Sequence, residues 1–145
     1  MINLKEIFGQ KYRVDFDRKS YSADRKVDRY GTGKVSTDKQ WYYSIPCKLG
    51  YIAISSDKDD LSFYCKSARV AKIIEKEMGR QTVDCWISDS DAMIYFKIEH
   101  ITEIFKYAKP RRKRQLTEEQ RLNLVSRMEK CRRKKQEITP KNPLN

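Results

Sequence analysis

The positive charge of this chain is concentrated at one end, and this limits which part can form a folded core. The 145 residues carry a formal net charge of +12, from 32 Lys and Arg against 20 Asp and Glu. Residues 1–105 contain 18 basic and 16 acidic residues, whereas residues 106–145 contain 14 and 4, which gives balances of +2 and +10. Dense like charge opposes burial. We therefore expect one compact domain, 1–108, followed by a basic helical tail, 109–145.

The rest of the composition is that of a folded domain in a reducing compartment. A hydrophobic fraction of 39%, with nine Tyr, five Phe and two Trp, is enough for a modest core. The four cysteines form no CxxC pair, so a zinc finger is not indicated, and free buried thiols are expected. The N-terminal residues lack the apolar stretch of a signal peptide, and no apolar run approaches the roughly 18 to 20 residues that cross a bilayer. We expect a cytoplasmic protein without membrane contact.

Hydrophobic periodicity predicts an α+β fold. A short helix around Leu4 and Phe8 precedes an alternating strand, 12–17, and then a long mobile loop, 18–39, in which periodicity is lost. Two β-hairpins are predicted, 41–55 with Gly50 in a left-handed turn position and 82–98, with a further strand at 61–66. Ser67 is the expected N-cap of a helix that ends at Gly79, and a second helix, 101–108, ends before Pro110.

This order predicts a mainly antiparallel sheet of two hairpins plus additional strands, with two helices on one face and a basic C-terminal helix after them. That last helix begins with a capping-box pattern, Thr117 and Gln120. A narrow apolar stripe of Leu124, Val125, Met128 and Cys131 follows, and it lacks the sustained heptads of a coiled coil.

Two basic clusters bracket this helix and are the strongest functional signal. The candidate nucleic-acid-binding residues are Arg111, Arg112, Lys113, Arg114, Arg132, Arg133, Lys134 and Lys135. Lysine and arginine that contact phosphates release condensed counterions, so such a tail binds DNA or RNA strongly at low salt. An acidic protein partner, or a cationic segment that only aids solubility, remains open. No helix-turn-helix or finger pattern predicts sequence-specific readout.

The long loop offers a second, weaker signal because it interleaves aromatic and basic side chains. These residues are Tyr21, Arg25, Lys26, Arg29, Tyr30 and Lys34. Asp24, Asp28 and Asp38 offset much of their charge, so a solvated surface loop is favoured over a binding segment.

Catalysis, metal binding and cofactors are not predicted. The carboxylate clusters fall at strand ends and turns, where Asp favours local hydrogen bonds to the backbone; they are Asp15 and Asp17, Asp57, Asp59 and Asp60, and Asp89 and Asp91. The single histidine, His100, has no obvious acid or nucleophile partner. The segment from Gly31 to Lys34 lacks the strand, spacing and helix of a phosphate loop.

Four segments carry a resemblance to known proteins: Phe8-Gly9, Tyr12-Arg13-Val14, Ile45-Pro46-Cys47 and the tail from Lys109 to Arg121, KPRRKRQLTEEQR. The resemblance is to a family of small uncharacterised bacterial and phage proteins in which a short α+β domain precedes a basic helix. It spans most of the chain apart from residues 18–39 and implies a phage or mobile-element context, without catalytic residues to transfer.

Taken together, the sequence predicts a non-catalytic accessory protein that binds nucleic acid, or a nucleoprotein complex, through its basic tail. The alternative is a protein-binding inhibitor of a host nucleic-acid-handling or defence nuclease, comparable to an anti-CRISPR protein. The cationic tail would then occupy the groove in which that nuclease holds its nucleic acid. The oligomeric state is left open.

Overall fold

The computed structural model describes residues 1–29, 38–56 and 59–138, and within them the chain folds into an antiparallel sheet with five α-helices. The helices are α1 Leu4–Phe8, α2 Arg18–Arg29, α3 Ala68–Met78, α4 Ile101–Ala108 and α5 Glu118–Ile138. The strands are β1 Asp15–Phe16, β2 Tyr43–Cys47, β3 Gly50–Ile54, β4 Asp60–Cys65, β5 Val83–Ile87 and β6 Ala92–Lys97. The prediction of an α+β fold with a mainly antiparallel sheet and a C-terminal helix is confirmed.

The six strands lie in the order β1-β2-β3-β4-β6-β5, and all neighbours are antiparallel. The turn between β2 and β3 depends on Gly50, which has φ +151°. A Cβ atom at this position would lie 1.8 Å from the carbonyl oxygen of Tyr64 on the neighbouring strand. Only glycine therefore allows β3 to approach β4 this closely at the turn.

Alternation along the strands separates a buried face of the sheet from an open one. Every second residue of β4, namely Leu61, Phe63 and Cys65, is fully buried, whereas the residues between them are only partly buried. Ile74 of α3 and Ile104 of α4 are also fully buried and belong to the same core cluster as these strand residues. The apolar core thus forms on one side of the sheet, and the opposite side keeps contact with water.

Local capping sets the ends of the helices as the sequence predicts. The Ser67 hydroxyl accepts a hydrogen bond from the Val70 N–H at 3.4 Å at the start of α3, and Gly79 follows its last turn with φ +81°. At the start of α5, the Gln120 N–H donates to the Thr117 hydroxyl, and the Thr117 N–H donates to the Gln120 side-chain oxygen, both at 3.3 Å. The predicted caps and capping box are confirmed.

The prediction of a loop over residues 18–39 is wrong in its first half, where α2 runs. Asp17 provides the helix start, because its carboxylate accepts hydrogen bonds from the Ser20 N–H at 3.1 Å and the Ser20 hydroxyl at 2.7 Å. Tyr21 then packs against Phe16 and Tyr42, with ring centroids 5.3 and 5.2 Å apart. These contacts with distant segments hold a helix that the sequence interpretation did not recognise. The part of the predicted loop at 30–37 lies outside the described residues.

The predicted strand at 12–17 is also shorter than expected, because Tyr12 leaves the sheet. Asp15 and Phe16 pair with β2, whereas Tyr12 forms an isolated bridge with Arg112. Its ring packs on Phe105 of α4, with centroids 4.9 Å apart. Contact with α4 and with the chain beyond it therefore draws this segment away from β2.

The chain divides into two compact units, Met1–Lys113 and Arg114–Asn145. The expected domain end at residue 108 thus falls five residues before the end of the first unit. Two of the four thiols, those of Cys47 and Cys65, are buried as expected, but Cys85 is half-buried and Cys131 is exposed on α5, which corrects the expectation of buried thiols. Among the described residues, no helix has both the length and the apolar content to cross a membrane.

Candidate nucleic-acid interface

The first basic cluster begins as part of the folded domain, held by backbone hydrogen bonds on both of its sides. The Arg111 N–H donates to the Pro46 carbonyl at 2.9 Å, and the Lys48 N–H donates to the Lys109 carbonyl at 3.0 Å. On the other side, the Arg13 N–H donates to the Arg111 carbonyl at 2.9 Å. The Lys113 N–H donates to the Lys11 carbonyl at 3.0 Å. The segment 109–113 is therefore inserted between the end of β2 and residues 11–13.

This insertion holds cationic side chains at one end of the sheet. Lys109 and Arg111 lie beside Lys48 at the end of β2, and the Lys66 N–H donates to the Leu49 carbonyl at 2.7 Å, which places Lys66 on the same turn. All four side chains are exposed. We call Lys48, Lys66, Lys109 and Arg111 the sheet-end cations. Because their backbones are fixed, they can meet phosphates without the ordering cost of a disordered tail.

The second basic cluster lies in the other unit, on the last two turns of α5. Successive helix residues are rotated by about 100°, so Arg132, Arg133, Lys134 and Lys135 point around most of the helix circumference. One straight polyanion can contact only part of this cluster at a time. The structure thus divides the eight predicted residues: Arg111, Arg112 and Lys113 belong to the first unit, and the other five belong to the second.

The predicted cations are available to an external anion. Each of the eight side chains is exposed. Within the part of the chain that the structure describes, ion pairs engage Arg13 and Arg80, but none engages Arg111, Arg112, Lys113, Arg114, Arg132, Arg133 or Lys134. The Lys113 ammonium donates a weak hydrogen bond to the Gly9 carbonyl at 3.5 Å. An approaching phosphate therefore displaces few internal interactions.

The open face of the sheet carries an aromatic row that the sequence interpretation missed. The strand register aligns Pro46, Tyr51, Tyr64, Met93 and Trp86 directly across β2, β3, β4, β6 and β5. Tyr51 and Tyr64 stack with ring centroids 5.4 Å apart and an interplanar angle of 30°. Trp86 is 70% exposed and Tyr51 is 44% exposed. The signal in the sequence is the placement of aromatic residues at the outward positions of alternating strands, but only the register shows that they form one row.

Hydrogen bonding fixes the central ring of this row. The Tyr64 hydroxyl donates to the Asp91 carboxylate at 2.9 Å, and this bond raises the pKa of Tyr64. Asp91 in turn accepts a hydrogen bond from the Ser88 hydroxyl at 3.1 Å in the turn between β5 and β6. The row therefore has a neutral, oriented phenol ring at its centre.

A cavity of about 510 Å³ extends the open face beyond Tyr51. It is lined by Asp17, Ser20, Trp41, Tyr42, Tyr43, Ser44, Tyr51 and Ala53. The Tyr42 hydroxyl donates to the carboxylate of Asp24, which raises the pKa of Tyr42 to about 12. The hydrogen bonds from Ser20 lower the pKa of Asp17, so one end of the cavity is anionic. The volume is within the roughly 300 to 1,000 Å³ that small-molecule sites occupy.

The remaining chemistry-bearing side chains of the described residues are cysteines and a histidine. Burial raises the pKa of Cys47 to about 12 and that of Cys85 to about 11, so both thiols are protonated, weak nucleophiles at neutral pH. No group of three metal-ligating side chains occurs within the described residues. The His100 ring lies 3.5 Å from the adjacent Glu99 carboxylate on the surface.

The weaker loop signal is only partly visible. Tyr21 lies on α2 against Phe16 and Tyr42, as a packing residue of the first unit. The side chains of Arg25, Lys26 and Arg29, together with Tyr30 and Lys34, lie outside the described residues. The second predicted hairpin is present with Asp89 and Asp91 at its turn, but the Asp91 carboxylate accepts from the hydroxyls of Ser88 and Tyr64, which are not the local backbone hydrogen bonds that were expected.

Comparisons with protein-family models, with curated protein sequences and with solved structures gave no match to this chain.

Proposed function

We propose that this chain is a non-catalytic accessory protein of a phage or mobile element that binds nucleic acid in the cytoplasm through its basic segment. In this proposal α3 and α4 cover one face of the sheet, and the sheet positions the segment 109–113. Arg111, Arg112 and Lys113 contact phosphates from the domain, while Arg114 and the cluster 132–135 bind further phosphates from the second unit. The resemblance to small bacterial and phage proteins supplies the biological context.

One observation carries the proposal: exposed cations are clustered on backbone that hydrogen bonds hold in place, and seven of the eight have no ion-pair partner among the described residues. A cationic segment that only aids solubility gains nothing from insertion between β2 and residues 11–13. A phosphate-binding segment does gain, because fixed donors lose less conformational entropy when the ligand binds.

The test is a salt titration of binding to double-stranded and single-stranded DNA and to RNA. Arg111, Arg112 and Lys113 are changed to serine in one variant, and Arg132, Arg133, Lys134 and Lys135 in a second. The logarithm of the binding constant falls linearly with the logarithm of the salt concentration. Each cation that no longer neutralises a phosphate makes this slope less steep by about 0.9 on B-DNA. The slope of the first variant is expected to become less steep by up to about three times this amount. The change in slope for the second variant is expected to be smaller than four times this amount, because its four side chains surround the helix and cannot all contact one strand.

The control changes Lys72 and Lys76, two exposed lysines of α3 outside the basic segment, to serine. It removes two positive charges and is expected to keep the wild-type slope. Equal affinities and slopes for the wild-type chain and both basic-segment variants would refute the proposal.

A second candidate function, inhibition of a host nucleic-acid-handling or defence nuclease by direct protein contact, is favoured by the surface of α5. Leu124 and Met128 are 43% and 58% exposed. With Cys131 they line a depression of about 290 Å³ that Arg127, Arg132 and Lys135 flank. An apolar stripe between cations suits an acidic protein groove better than a phosphate backbone. The test is capture of a protein partner from host lysate. Capture that survives nuclease treatment, and that the double variant Leu124→Ser Met128→Ser abolishes, would support this candidate.

A further inference from the structure

The open face of the sheet has the two features that stack and hold a flexible polyanion: an aromatic row and a cationic end. The row of Tyr51, Tyr64 and Trp86 lies across β3, β4 and β5 in register, with Met93 between Tyr64 and Trp86. Neighbouring strands are about 4.8 Å apart, so the three strand spacings from Tyr51 to Trp86 cover about 14 Å. In a common RNA-binding module, the aromatic residues of a four-stranded sheet stack two or three bases in the same way.

Charge is distributed unequally along the strands of this face. The sheet-end cations Lys48, Lys66, Lys109 and Arg111 surround the end of the row at β2, β3 and β4. The next row, which contains Ser44, Ala53, Ser62 and Tyr95, has Asp15 and Asp84 at its two ends. Asp60 and Lys97 are paired in the row beyond it, and Asp89 and Asp91 lie in the turn between β5 and β6, at the same end of the strands as the cations but on the β5 side. The cations therefore favour a polyanion that crosses the ends of β2, β3 and β4, on the Tyr51 side of the aromatic row.

We propose that the open face of the sheet binds a single-stranded nucleic acid, whose bases stack on Tyr51 and Trp86 while its phosphates contact the sheet-end cations. This inference rests on the proposed function, because it assigns the same class of partner a second, base-stacking contact. The bases of a duplex are already stacked on each other, so a duplex cannot use the row. The inference thus adds a preference for single strands that the basic segment alone does not provide.

Exposure of the aromatic residues is the physical reason to expect a stacking partner. An apolar row in water is energetically unfavourable unless something covers it, and Trp86 is the most exposed aromatic side chain of the described core domain at 70%. A protein partner would also cover apolar area. The cations at the end of the row favour a phosphate polymer, because they lie where the backbone of a strand stacked on Tyr51 must pass.

The test measures binding of oligothymidine, oligouridine and a DNA duplex of the same length to the full chain. Tyr51→Ala and Trp86→Ala are expected to lower the affinity for the single strands by about fivefold or more each. The duplex affinity and the salt slope are expected to stay unchanged, since every cation is retained. Tyr51→Phe and Trp86→Phe, which keep an aromatic face, are expected to restore most of the single-strand affinity. Leu122→Ala, which removes an equally exposed apolar side chain on α5, is the matched control.

Fluorescence gives a direct readout of stacking. In a Trp41→Phe background, Trp86 is the sole tryptophan, and saturating oligothymidine is expected to quench its emission. Unchanged single-strand affinity in Tyr51→Ala and Trp86→Ala, together with unchanged Trp86 emission, would overturn the inference. If that result were obtained while the serine variants of the basic segment lost nucleic-acid binding, the proposed function would stand and only the stacking inference would fail. Loss of a host protein partner in Trp86→Ala, with oligonucleotide binding intact, would also overturn the inference in favour of protein docking.

Discussion

The backbone N–H of Arg111 donates a hydrogen bond to the carbonyl of Pro46, with nitrogen and oxygen 2.9 Å apart, and so joins the first basic cluster to the edge of the sheet. The neighbouring bridge between Cys47 and Pro110 continues this pairing. Three cations of the cluster are consequently part of the domain surface. Shortening the chain at different points therefore has different consequences.

A chain that ends at Ala108 is expected to be less stable than one that ends at Lys113. The shorter chain lacks the four backbone hydrogen bonds that join residues 109–113 to residues 11–13 and 46–48. Each is worth about 0.5 to 1.5 kcal/mol, so the free energy of unfolding is lower by about 2 kcal/mol or more. Urea unfolding measures the difference. Equal stability of the two chains would show that the segment does not support the domain.

Gly50→Ala is expected to lower the free energy of unfolding by about 3 kcal/mol or more, because the added Cβ meets the Tyr64 carbonyl oxygen at 1.8 Å and φ is +151°. Gly79→Ala is the matched control. Its φ is +81°, but nothing lies within 4 Å of the added Cβ, so only the backbone cost of about 1 to 2 kcal/mol applies. Urea denaturation of both variants measures the contrast, and similar losses would contradict the turn geometry.

Thr117→Ala is expected to reduce the helicity of α5, since it removes the hydroxyl that accepts from the Gln120 N–H. Loss of such a cap costs about 1 kcal/mol. The effect would appear as a smaller circular dichroism signal at about 222 nm. Thr117→Ser retains the acceptor and is expected to preserve the signal. Ser126→Ala, in the exposed interior of α5, is expected to raise helicity slightly. An unchanged signal in Thr117→Ala would show that the capping box does not stabilise the helix start.

Raising the pH above about 9 is expected to destabilise the first unit. Burial raises the pKa of Cys47 from 9.0 to about 12 and that of Cys85 to about 11. The unfolded chain therefore loses these protons first, and the associated stability is complete below about pH 9 and is lost as the pH rises towards 12. Denaturant unfolding at several pH values between 9 and 12 measures how steeply the free energy of unfolding decreases with pH. Cys47→Ala is expected to make this decrease less steep, whereas the change of the exposed Cys131 to alanine is expected to leave it unchanged. A slope that is the same in both variants would contradict the role of Cys47.

Local sequence was sufficient for most elements of the first unit. Three signals act over one to four residues, so each could be recognised without knowledge of the fold. They are the period of two in β4, the Ser67 hydroxyl before α3, and the pair Thr117 and Gln120 before α5. Gly50 was recognised from the turn that joins adjacent strands, although the close contact that requires glycine comes from the Tyr64 carbonyl oxygen on β4. The concentration of basic residues after residue 105 was likewise plain from composition.

Contacts between distant residues decided the rest. α2 forms where the sequence indicated a loop because Asp17 caps it and Tyr42 packs on Tyr21 from another segment. The insertion of residues 109–113 beside Pro46 depends on a pairing across more than sixty positions of the chain. The alignment of Tyr51, Tyr64 and Trp86 likewise depends on the register of four strands. Apart from α2 and the length of β1, the sequence alone determined the helices, strands and caps, because these follow from neighbouring residues. Only the tertiary structure decided which cations and aromatic rings share a surface, because that follows from pairing between distant parts of the chain.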